Sequence, residues 1–146
     1  MSTDEKVAKE LVETLKDGRN GFSAAAEKLR DSDRPDLADA MQKYADQRAV
    51  FAREIVEMGH EYGDDVDEGG SFAAALHRGW LSMKDAVSGD DAGGVLDAAV
   101  SGEEHAESEY RKALDADLSD GFRTVVARQH EAVVQTQTEL KSLPRD

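Results

Sequence analysis

Two metal ions bound inside a four-helix bundle need a Glu from each of two helices and a Glu-x-x-His from each of the other two, all facing inward. The sequence contains one such string, Glu57-Met58-Gly59-His60. Met58 keeps the phase of its segment's apolar seam, so at about 100° per residue Glu57 and His60 fall off that seam. They read as a solvated pair in a last helical turn, where a histidine suits the negative end of the helix. His105 stands two residues past a seam position and points outward, and His130 lies on a flank beside Gln129. The last segment offers Val134-Gln135-Thr136-Gln137 in place of a second Glu-x-x-His. No metal ligand, catalytic residue or cofactor-binding residue is therefore assigned, with iron or manganese kept as the alternative cofactor.

More informative are the polar residues that do keep the seams' phase: Arg48, Glu103, Gln129 and Thr136, with Asp17 beside Gly18. Counting residues from one end of a bundle places Asp17, Arg48, Glu103 and Gln129 in one buried polar layer near its middle. A guanidinium in a core must be paired, because an uncompensated buried charge costs several kcal/mol. The expected partner is Glu103, joined by Asp17 or Glu13, with Gln129 satisfying the remaining donors. The competing reading has Arg48 reach the surface past small neighbours. Two other motifs are weaker. Asp65-Val66-Asp67-Glu68-Gly69 lacks the bidentate Glu at the twelfth position of a calcium loop, where Leu76 stands. His77 and Arg78 beside Trp80 form a candidate surface patch, or simply the outer side of a helix that buries Trp80. No phosphate loop or nucleophile elbow occurs.

Composition narrows the classes. The chain has 146 residues, one domain's worth. Its 32 acidic against 18 basic residues give a net charge of -14, which argues against nucleic acid or an anionic membrane as partner. The absence of cysteine excludes disulfides, thiolate catalysis and zinc–thiolate sites. No apolar run approaches a membrane span and the first residues do not form a signal peptide, so a soluble, cytoplasmic protein is expected. Aspartate outnumbers glutamate, 18 to 14, and lysines number only 8. That balance fits a surface adapted to strong salt, and equally an ordinary acidic one.

These side chains need helices to position them. Apolar residues recur in steps of four and three, the seam of a bundle helix. Val7, Leu11, Leu15, Gly18, Phe22, Ala25 and Leu29 predict one helix over 3–31, unbroken at Gly18-Arg19-Asn20-Gly21 because the phase continues across the glycines. Leu37, Met41, Tyr44, Arg48, Phe51, Ile55, Met58 and Tyr62 predict a second over 34–62, with Pro35 in its first turn and Ser32 or Asp33 as cap. Leu96, Ala99, Glu103, Ala106, Tyr110 and Ala113 predict a third over 92–117. Phe122, Val126, Gln129, Val133, Thr136, Leu140 and Leu143 predict a fourth over 119–143. Phe72, Leu76, Trp80, Met83 and Val87 mark a shorter amphipathic helix over 71–87. Short turns make helices one and two, and three and four, antiparallel neighbours. The roughly 30 residues between helices two and three suffice to cross a bundle about 40 Å long. The expectation is a single all-α domain over 1–146, a ferritin-like four-helix bundle with an additional short crossover helix.

Particular strings carry a family resemblance. Leu15-Lys16-Asp17-Gly18 with Phe22, Arg48 with Phe51-Ala52 and Glu54-Ile55, Leu76-His77-Arg78-Gly79-Trp80, and Gly102-Glu103-Glu104 with Tyr110 resemble a bacterial family of small ferritin-like four-helix-bundle proteins of unknown function. In that family a His often stands at the position of Gln137 and a Glu at that of Arg19, so both departures remove potential ligands. The resemblance implies a fold and a stress association, but no activity. The function expected is non-enzymatic, structural or partner-binding, through an unknown protein partner or self-association. The alternative is a ferritin-like di-iron or di-manganese protein or oxidoreductase.

Overall fold

The computed structural model describes residues 3–59 and 92–144. Four helices account for nearly all of them: α1 (Thr3–Asp31), α2 (Pro35–Gly59), α3 (Ala92–Asp115) and α4 (Asp120–Ser142). There is no strand among the described residues. The predicted helix over 71–87, with Trp80, His77 and Arg78, lies outside the described residues, as do His60 and the acidic loop from Asp64 to Gly70.

α1 runs without interruption through Gly18-Arg19-Asn20-Gly21. Its stripe of Val7, Leu11, Leu15, Phe22, Ala25 and Leu29 is buried throughout, so tertiary burial outweighs the roughly 1 kcal/mol that each internal glycine costs. The helix closes with a Schellman motif: Arg34 N–H donates to Leu29 O (2.9 Å) and Asp33 N–H to Arg30 O (3.1 Å). Asp33 takes the left-handed conformation, φ 61°, that this closure requires. Ser32 and Asp33 therefore serve the end of α1 and do not cap α2. The Ser32 hydroxyl bonds back to Lys28 O at 2.9 Å. The residue preceding α2 is Arg34, whose carbonyl accepts from Ala38, with Pro35 in the first helical position.

The turn between α3 and α4 is held from both sides. Arg123 donates to the carbonyls of Leu114 (2.7 Å) and Ala116 (2.8 Å), covering acceptors that the end of α3 leaves open. Ser119 precedes α4 but makes no side-chain cap. Its N–H and hydroxyl donate instead to the two carboxylate oxygens of Asp4, at 3.0 and 2.6 Å. The first turn of α1 thus supplies the acceptor at the start of α4.

α1 packs most extensively on α2 and also on α3; α4 packs on α3 and only slightly on α2. α2 and α3 therefore face each other across a diagonal. The core divides into two apolar clusters. One joins the C-terminal half of α1 (Phe22 to Leu29), the N-terminal half of α2 (Leu37 to Ala45), the start of α3 (Ala92 to Ala99) and Leu140 of α4. The other joins the opposite halves, including Leu11, Leu15, Phe51, Ile55, Tyr110, Phe122 and Val133. This grouping makes α2 and α3 parallel: the chain leaves α2 at one end of the bundle and enters α3 at the other.

Candidate functional site

The boundary between the two clusters carries the polar layer. Gly18 lies between Leu15 and Phe22, Arg48 between Ala45 and Phe51, Glu103 between Ala99 and Ala106, and Thr136 between Val133 and Leu140. In each case the two flanking residues belong to different clusters. Arg48 and Glu103, each 1% exposed, meet across the diagonal. Nη1 of Arg48 donates to Oε1 of Glu103 at 2.7 Å and Nη2 donates to Oε2, a bidentate pair. The Nε–H of Arg48 donates to Oε1 of Gln47 at 3.4 Å, and its guanidinium lies 5.5 Å from the centre of the Phe22 ring. Gly18 lies beside the arginine stem, where a Cβ would sit 3.6 Å from Cγ of Arg48, an ordinary van der Waals contact.

Burial pushes the Glu103 carboxyl above the ordinary carboxylate range, opposed by the charge and hydrogen bonds of Arg48. Asp17 is buried one residue before Gly18. Thr136 is buried too, with its hydroxyl bonded to Ala132 O at 3.0 Å.

Gln129 does not serve Arg48. Val126 and Val133, its flanking seam residues, both belong to the second cluster, so Gln129 lies inside that cluster, about 10 Å along α4 from Thr136. There its Oε1 accepts the Tyr110 hydroxyl at 2.6 Å, and its Nε2 donates to Phe51 O (3.3 Å) and Glu54 Oε1 (3.0 Å). Counting depth from the C-terminal end of α4 misplaced it, because α4 ends about two turns short of the level its neighbours reach. Sequence reasoning treated Tyr110 as an apolar seam residue. Its hydroxyl is the signal that was available, since a buried phenol needs a partner. Desolvation holds that phenol far above its ordinary pKa.

Nearer the surface, Glu54 also accepts from Arg128 at 2.7 Å, and Tyr44 donates to Glu139 at 2.8 Å. These contacts, with those of Gln129, bridge α2 and α4 through long polar side chains.

The two histidines among the described residues, His105 and His130, form no centre. His105 is exposed, 3.9 Å from Glu109. His130 lies half-buried, its Nε2 3.0 Å from Oε2 of Glu107, and Arg111 meets the same carboxylate oxygen at 2.7 Å. Glu57 is exposed on α2. Among the described residues, no group of three or more His, Asp or Glu side chains is placed to hold a metal ion. No helix of the described residues is long and apolar enough to cross a membrane.

Residues 5–116 match the family described as a domain of unknown function, DUF2383. The chain belongs to that family. The DUF2383 span includes Gly18, Arg48, Glu103 and Tyr110 but stops before α4, so Gln129, Thr136 and Arg128 lie beyond it. Among curated proteins, none matches the chain.

Proposed function

We propose that this chain is a ferritin-like bundle in which a fixed guanidinium has taken the mid-bundle position used elsewhere for metals, and that it acts in the cytoplasm as a non-enzymatic, structural or partner-binding protein. The observation that carries the reading is the bidentate Arg48–Glu103 pair. Both oxygens of the one carboxylate on the α3 seam are engaged by a cation. A divalent ion about 5 Å from that guanidinium would meet a repulsion of about 7 kcal/mol at an effective dielectric of about 20. The parallel course of α2 and α3 supports the ferritin-like connectivity, because a connection that returns along the bundle is what that arrangement requires. The residues present do not suit a di-metal centre, and no reaction is assigned to them. The stress association rests on family resemblance alone.

Elemental analysis of protein expressed with added iron and manganese, and purified without chelator, tests the reading. Metal well below one ion per chain is the expected result. Close to two ions per chain, lost together with Glu103→Gln, would replace this reading with a metal-binding or oxidoreductase one.

A further inference from the structure

We propose that the Arg48–Glu103 pair is a register lock: it sets the axial position of the α3–α4 hairpin against the α1–α2 hairpin, while contributing little net stability. The need for such a device follows from the seams. All four repeat in steps of four and three with leucine, valine, alanine and aromatic residues. A seven-residue slip of one hairpin along the other, about 10 Å, therefore brings seam against seam again. The covalent chain does not forbid it, because the only link between the hairpins is the long stretch 60–91. In both registers apolar residue faces apolar residue along the overlapping part of the seams, and the slip loses burial only at the ends.

The buried charges separate them. In the observed register the guanidinium fork and the carboxylate meet tip to tip across the diagonal. After a slip of seven, Arg48 faces the level of Leu96 or of Tyr110, and Glu103 is carried away with its charge unmatched. Two stranded ions in a core add several kcal/mol to that loss and penalise every register but the observed one. The contacts of Gln129 with Phe51 O and Glu54, of Tyr44 with Glu139, of Arg128 with Glu54 and of Asp4 with Ser119 also change with register. Arg128 and Glu54 lie nearer water, which replaces lost partners, and stranding the neutral Gln129 amide costs less than stranding two ions. A single buried polar position that fixes register at no gain in stability is known from coiled coils, and the geometry here matches that use.

The chain has no cysteine, so introduced pairs report register directly. Glu54 and Arg128 meet in the observed register, and a slip of seven would bring Glu54 to the level of Gly121 or of Gln135. Three reporter pairs, Glu54→Cys with Arg128→Cys, with Gly121→Cys or with Gln135→Cys, are treated with a short bis-maleimide in the parent and in Arg48→Met/Glu103→Met. In the parent only the first pair should link efficiently. In the double variant its yield should fall several-fold while a slipped pair rises, and amide resonances should multiply although helix content is retained. Arg48→Leu/Glu103→Leu provides a second apolar filling. If either double variant links as the parent does and gives one set of resonances, the pair is not the lock. If both lose their helical fold, the pair is a stability element and the proposal is wrong.

Discussion

At the scale of single residues, the mid-bundle pair makes two sharply different predictions for neighbouring variants. Glu103→Ala should cost about 3–5 kcal/mol in urea unfolding at neutral pH, because it leaves the Arg48 guanidinium buried and unmatched. Arg48→Met/Glu103→Met, which removes both charges, should be nearly neutral by the same measurement. A loss as large in the double variant as in the single one would contradict the desolvation argument. The pair also has a pH signature. Burial raises the Glu103 carboxyl above its ordinary value near 4.5, so the folded chain binds that proton more readily than the unfolded chain does. The resulting stability is present below the ordinary value and is lost as pH rises through the folded one. Relative to the double variant, the parent should therefore lose stability as pH is raised from about 4.5, with a plateau once Glu103 is ionised. Urea midpoints of the two proteins across that range check the sign.

At the scale of elements, Gly18 and Asp4 are the informative positions. A Cβ at Gly18 would make ordinary contact with Arg48 Cγ at 3.6 Å, so Gly18→Ala should stabilise α1 by about 0.5–1 kcal/mol, the usual gain inside a helix. A fall in the unfolding midpoint would instead show that the glycine is required for close approach. Asp4→Ala should cost about 1 kcal/mol, the typical value of a lost cap, and hydrogen exchange should quicken in the first turn of α4, far away in sequence. The four described helices were legible in the sequence because the four-three phase is a property of each segment alone. Arg48 and Glu103 were legible as partners because both break an apolar seam without leaving its phase. Gln129 was placed at the wrong level because where α4 ends relative to its neighbours is decided by packing between helices. The Asp4–Ser119 contact had no local signal: Ser119 was visible as a helix start, but nothing near it in sequence announces an acceptor 115 positions away. The role of Ser32 and Asp33 was misread because the same short polar residues serve helix starts and helix ends, and only the backbone angle of Asp33 separates the two.

At the scale of the whole molecule, the net charge of -14 acts on every contact at once. If the surface is a salt adaptation, the melting temperature should rise by several degrees between dilute buffer and about 1 M NaCl, as the Debye length shrinks to roughly 3 Å. A flat or falling melting temperature would leave the composition as a matter of solubility. The clasp between Asp4 and Ser119 also bears on how the molecule comes into being. At a synthesis rate of 5–20 residues per second, the ribosome delivers Ser119 roughly 6 to 23 seconds after Asp4. Throughout that interval the seam of α1 has no fourth helix to cover it, and the start of α4 does not yet exist to receive the carboxylate. A nascent chain halted before the α3–α4 turn thus lacks Phe122, Val126 and Val133, the α4 share of the cluster that holds Leu11 and Leu15. Delivery of α4, rather than the folding of any earlier segment, is the event that completes the clasp.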